Sequence, residues 1–201
     1  ACISLMGNHD LFVYDERNKI FCKNVDYNSY PIKREDLFKP GINMSSSLAI
    51  TRPLILVLGK YLFVHGGLTT NIIGKHGTLC DKITSLNKEL SSWLVSGKNE
   101  PYWLYTDNNP TTNRTFSQGG TQEQFDTLLG MLPGITKIIV GHTTVPMISS
   151  RFNGKLISTD VGLSRCFKKN FYYKWQILEI HKDNTYIVSM DYNNDIKITS
   201  I

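Results

Sequence analysis

Short apolar runs that stop at glycine recur along the chain and set the expected architecture. Residues 1–6, Pro53–Leu58, Tyr61–His65, the "KIIVGH" stretch ending at His142, Lys155–Thr159, Lys174–Ile180 and Thr185–Met190 each read as a strand. In "DKITSLNKELSSWLVSG" the period changes. Ile83, Leu86, Leu90, Trp93 and Leu94 recur at helical spacing, with Asp81 suited to the N-cap and Gly97 to the exit. Thr121–Leu132 predicts a shorter helix, closed by Pro133-Gly134. Two stretches carry neither period: an Asn- and Lys-rich connection running to about residue 45, and the polar, turn-rich residues 98–120. A loop as long as the second, inside a compact domain, is usually functional or disordered. No internal repeat or composition break divides the chain, so residues 1–201 are read as one domain.

Composition narrows the picture without changing it. With 41% hydrophobic and 19% charged residues, the chain is an ordinary globular sequence. No apolar run approaches the roughly 20 residues of a membrane helix. The net charge of +5 is spread out, and Glu35 and Asp36 offset Lys33-Arg34 at once, which argues for a solvated surface and against a nucleic-acid partner. The aromatic group "FYYKW" reads as core and sheet surface, and His76 and His181 as structural or exposed. Four scattered cysteines (Cys2, Cys22, Cys80, Cys166) form no C-x-x-C pair, so buried free thiols in a reducing, cytoplasmic setting are expected. The sequons at Asn43 and Asn113 are then incidental. The sequence does not open on Met, which leads to the expectation that natural N-terminal residues, with any targeting signal, precede it.

The candidate chemistry lies where three of the predicted strands end. "ISLMGNHD", "YLFVHGG" and "KIIVGHT" are each an apolar run closed by glycine and histidine. Side chains beyond the ends of strands in an α/β fold converge on a common crevice, and glycine lets the backbone turn sharply and approach a ligand closely. Three such ends bring His9, His65 and His142 together, with Asn8 beside them. Imidazole nitrogens ligate zinc, manganese and iron, and an amide oxygen completes a harder shell.

The motifs "GNHD" (7–10), "VHGGL" (64–68) and "GHT" (141–143), with "FKPG" (38–41) and "STDVGLS" (158–164), resemble those of the calcineurin-like metallophosphoesterases. The resemblance runs from residue 1 to about 165. It is nearest to the phosphoprotein phosphatase branch, and within that to Shewanella-like and viral-type phosphatases. Thr144 stands where nuclease and phosphodiesterase relatives carry a second histidine. The resemblance implies an α/β, four-layer sandwich of two mixed β-sheets flanked by helices. It implies Asn8, His65 and His142 as ligands of one of two divalent or mixed-valence metal ions (Mn, Fe or Zn). His9 would protonate the leaving oxygen instead of binding metal.

The family's first two motifs, G-D-x-H-G and G-D-x-x-D-R-G, do not occur. Their absence implies a catalytic domain that is N-terminally incomplete, without its first strands, with the ligands of one metal only, and inactive as it stands. Asp10 replaces the commoner glutamate. Trp103 in "PYWLY" is similar to a tryptophan that follows HGG in the family. Tyr105 occupies the nearest place for the phosphate-gripping arginine, which leaves Arg114 in "TTNRTFS" as the candidate, against a solvent-facing loop arginine. The activity implied is hydrolysis of phosphomonoesters in a phosphorylated protein or peptide (Ser/Thr or Tyr) by a metal-bridged hydroxide. The alternatives are a bis(nucleosyl)-polyphosphate hydrolase with the same metal chemistry, and an inactive phosphatase-fold module. Loop 97–120, with Trp103, Tyr105 and Arg114, is expected to border the substrate cleft, its aromatic rings under an extended peptide.

Overall fold

The computed structural model describes residues 2–11, 36, 38–74, 77–163, 175–191 and 193–201. Cys22, Cys166, His76, Lys33-Arg34 and Lys168-Lys169 lie outside them, as does most of "FYYKW". Six described helices accompany eight strands: α1 (Asn8–Leu11), α2 (Asn43–Thr51), β1 (Ile55–Leu58), β2 (Tyr61–Val64), α3 (Thr70–Ile73), α4 (Leu79–Ser96), α5 (Thr115–Gln118), α6 (Gln122–Gly130), β3 (Lys137–Val140), β4 (Ser149–Arg151), β5 (Leu156–Ser158), β6 (Trp175–His181), β7 (Asn184–Met190) and β8 (Ile196–Ser200).

The first sheet has the order β1-β2-β3-β5-β4 and is mixed: β2, β3 and β5 run parallel, and β1 and β4 close its edges antiparallel. The second sheet, β6-β7-β8, is antiparallel. The central strands are buried on both faces, which is why they read as unbroken apolar runs and not as alternating ones. On one side Leu62, Val64, Ile138, Val140 and Leu156 meet Leu86, Leu90, Trp93 and Leu94 of α4 and Phe125 and Leu128 of α6. On the other, Tyr61, Ile139 and Ile157 face a cluster that includes Leu178, Ile180 and Ile187 of the second sheet. Helices, mixed sheet and antiparallel sheet thus form successive layers. Among the described residues the far side of the second sheet is open, with Trp175, Ile177, Ile196 and Ile198 all exposed.

Helix α4 begins one turn earlier than its apolar period suggests. Thr78 is its N-cap, accepting from the Asp81 backbone N–H, while the Asp81 carboxylate accepts from the Thr78 N–H to complete a capping box. Asp81 is therefore the third helical residue and not the cap. The exit at Gly97 is as expected, in the left-handed region at φ 67.

Residues 2–7 are the principal departure. They are not a strand in the structure, because among the described residues no neighbouring strand pairs with them. Instead the Met6 N–H donates to the Pro53 carbonyl, and the chain turns into α1 at Asn8. Cys2 and Cys80 are exposed thiols, not buried ones. Cys80 lies on the solvent side of α4, where the helical period places no core residue. No described helix is long and apolar enough to cross a membrane.

Candidate metal and phosphate site

The convergence of His65 and His142 follows from strand pairing. β2 and β3 are parallel neighbours with Val64 opposite Val140, so both chains leave the sheet side by side. The Gly141 N–H donates to the His65 carbonyl at 2.8 Å and locks the two exits together. His142 then takes φ 57, a left-handed conformation that costs a residue with a side chain about 1–2 kcal/mol. Asn8 arrives from a third direction as the first residue of α1. Its Oδ1 lies 3.0 Å from His65 Nε2 and 3.2 Å from His142 Nδ1, and the two rings stand 5.3 Å apart between centroids. Two imidazole nitrogens therefore converge on one amide oxygen, at a single point beyond the strand exits.

Electrostatics favours the neutral, ligating form of both rings. Burial pushes the His65 imidazole down, against smaller upward pulls from Asp160 and Asp10. Burial likewise lowers His142, to about 4, with the charges of Arg114, His65 and His9 adding to the effect and a backbone hydrogen bond at Thr112 opposing it. Neutral imidazole is the state a metal requires. No cluster of three His, Cys, Asp or Glu side chains occurs among the described residues, so the set is two histidines and an amide. This donor set fits a borderline divalent cation: it is mixed in nitrogen and oxygen, and it is held without a net charge of its own.

His9, also on α1, is exposed and lies near enough for its charge to act on both His65 and His142. Its turn is fixed through Asp10. One carboxylate oxygen accepts from the Gly7 N–H at 2.9 Å, and the other takes Arg52 Nη1 at 2.6 Å. Arg52, the C-cap of α2, is thus tied to the GNHD turn from 42 positions away in sequence, and no local pattern announces it.

Loop 97–120 does border this point, at Thr112 and Arg114. Arg114 is exposed, and its guanidinium charge reaches His142. Trp103 has a different place from the one expected of it. It is fully buried, and its Nε1–H donates to Glu89 of α4 at 3.2 Å. An apolar ring gains more inside the core than under a substrate, so Trp103 anchors the loop and offers no stacking surface. Tyr105 is exposed, its hydroxyl donating to Glu100.

The two HGG glycines also serve a purpose other than approach to a ligand. The Gly66 and Gly67 N–H groups both donate to the Pro110 carbonyl. A Cβ on Gly66 would lie only 2.8 Å from the Thr111 carbonyl carbon and 2.9 Å from the Asn113 nitrogen. The glycines let the loop press against the strand exit. The loop's own amides complete the seat: buried Asn109 accepts from the Thr111 N–H and hydroxyl, and Asn113 bonds Thr115.

In this α/β sandwich two parallel strand exits thus present His65 and His142, and α1 brings Asn8 to meet them. The chain belongs to the calcineurin-like phosphoesterase family, whose sequence profile matches residues 1–146. It is 26% identical over 235 aligned positions to the uncharacterized protein R398 of Acanthamoeba polyphaga mimivirus, covering 91% of this chain and 89% of that protein. Among solved structures it is similar to a cold-active protein tyrosine phosphatase (TM-score 0.61, 20% identity) and to a point mutant of a cold-active protein tyrosine phosphatase (TM-score 0.67, 19% identity). It is also similar to the cold-active protein-tyrosine phosphatase of a psychrophilic Shewanella species (TM-score 0.58, 21% identity). These likenesses cover 96%, 98% and 96% of this chain but 56%, 58% and 57% of the phosphatases, so the chain spans a little over half their length.

Proposed function

We propose that the protein is a metal-dependent phosphomonoesterase acting on phosphorylated protein or peptide, with Asn8, His65 and His142 holding one divalent ion. The observation that carries the reading is the meeting of Asn8 Oδ1 with His65 Nε2 at 3.0 Å and with His142 Nδ1 at 3.2 Å, both rings being kept neutral. A bound divalent cation supplies positive charge for the phosphoryl oxygens and a nucleophile at neutral pH. The remaining work falls to side chains of this chain. Arg114 pairs its guanidinium with the non-bridging oxygens of the phosphoryl group and sets its orientation. His9, in its imidazolium form, donates a proton to the departing alcohol or phenol oxygen. Asp10, through Gly7 and Arg52, keeps the turn that carries His9 in place.

Support for a phosphoprotein substrate comes from the similarity to protein tyrosine phosphatases and from the exposure of Tyr105 and Arg114 on loop 97–120. The test is kinetic, on protein expressed from its complete coding region and loaded with Mn²⁺. Phosphotyrosine, phosphoserine and phosphothreonine peptides should be hydrolysed with higher kcat/KM than diadenosine tetraphosphate. The reverse ranking would assign the polyphosphate hydrolase activity instead.

A further inference from the structure

α5 is four residues long, too short to hold its position by its own hydrogen bonds. Besides the Asn113–Thr115 bonds at its first residue, three contacts among the described residues fasten it. Phe116 is buried edge-on against Phe125 and Phe152. Arg151 of β4, stacked 4.9 Å over the Phe152 ring, donates from Nη1 to the Phe116 carbonyl at 2.7 Å. The third contact is of another kind. Ser117 Oγ lies 2.7 Å from the Oγ1 of Thr143, the residue directly after His142. Thr143 is buried, and its N–H turns back to the Gly141 carbonyl. One hydroxyl pair thus connects the turn that begins at Arg114 with the turn that carries His142. These turns belong to different parts of the chain, 26 positions apart along the sequence.

We infer that Ser117 and Thr143 are positioning residues, whose hydroxyl–hydroxyl bond fixes the phosphate-binding Arg114 relative to the metal ligand His142. The inference rests on the role proposed for Arg114 above. Phe116 and Arg151 hold α5 against the core and β4, but neither reaches the His142 turn. Without the hydroxyl bond, α5 can shift against that turn while both remain folded. A guanidinium displaced by about 1 Å loses the two-pronged geometry on which its grip on phosphate depends. The metal ligands, held by β2, β3 and α1, should not respond.

The test uses protein from the complete coding region, with Mn²⁺ content measured and inorganic phosphate as the probe in calorimetry. Thr143→Val should leave Mn²⁺ stoichiometry unchanged and weaken phosphate roughly three- to tenfold, the range one neutral hydrogen bond covers. Thr143→Ser should restore affinity. Ser117→Ala, at a half-buried site where truncation leaves no core cavity, provides the same reading if the Thr143 variant folds poorly. In an Arg114→Ala background, neither substitution should weaken phosphate further, because the group they position is gone. Losses that multiply with Arg114→Ala, or a loss of Mn²⁺ from Thr143→Val, would overturn the inference. A parent protein that binds neither Mn²⁺ nor phosphate would instead overturn the proposed function, and the inference with it.

Discussion

Asn8 meets two histidines through a single oxygen, whereas His9, the next residue, is exposed. That division predicts two distinct kinds of loss. His65→Ala and His142→Ala should abolish metal retention and activity together, since each removes one of three donors. His9→Asn should keep metal content near that of the parent while kcat falls about 10²–10⁴-fold, the usual worth of a general acid. Metal analysis beside steady-state kinetics separates the cases. Equal metal loss in His9→Asn would place that imidazole among the ligands. At Arg114, replacement by alanine should raise KM for a phosphopeptide and lower kcat/KM at least tenfold, about 1.4 kcal/mol of transition-state stabilisation. An unchanged enzyme would remove the residue from the site.

The elements differ in how far they were legible, and each difference has a cause in particular residues. α4 was readable because five core residues share one face and a Gly exit closes it; only the cap was misplaced, since Thr78 and Asp81 exchange roles within the box. β2 and β3 were readable because burial on both faces demands continuous apolar residues. α2 was not, because Met44, Leu48, Ala49 and Ile50 do not gather on one helical face and only Ser45 and Leu48 are buried. Ser45 accepts from the Ile42 N–H, and its hydroxyl lies 2.9 Å from the Leu94 carbonyl of α4, a contact that no spacing rule reveals. The histidines and Asn8 could be found from motifs. Arg52, Ser117 and the burial of Trp103 depend on contacts between distant segments. The capping box yields a further expectation. Hydrogen bonds from Thr78 hold the Asp81 carboxyl below its ordinary value. A carboxylate whose folded pKa is depressed contributes stability above its unfolded pKa, near 3.8, and that contribution is lost as pH falls through the lower folded value. Thr78→Ala should cost about 1 kcal/mol at neutral pH and show a shallower loss of stability on acidification, read by urea denaturation at several pH values. Identical pH profiles would show that the box contributes nothing to α4.

Across the molecule, the site depends on two couplings that the family motifs alone do not display: one seats a loop on the strand exits, and the other packs one sheet on another. Gly66 tests the first. Its added Cβ would press on backbone atoms at 2.8–2.9 Å, which cannot move without shifting Pro110–Asn113, and Arg114 follows directly. Gly66→Ala should therefore destabilise by about 1–3 kcal/mol, as overpacking does, and weaken phosphate binding although the residue touches no ligand. The second coupling can be divided into its apolar and charged parts. Ile157 is fully buried between the sheets, while the Lys60–Asp183 pair joins their edges in solvent, with the Asp183 side chain 83% exposed. Hydrophobic burial scales with area removed from water, whereas exposed ion pairs are screened and lose side-chain entropy. Ile157→Ala should cost about 2–5 kcal/mol, and Asp183→Asn should leave the unfolding midpoint where it is. Should Asp183→Asn shift the midpoint as far as Ile157→Ala, the sheets would be held by their charged rim and not by the core between them.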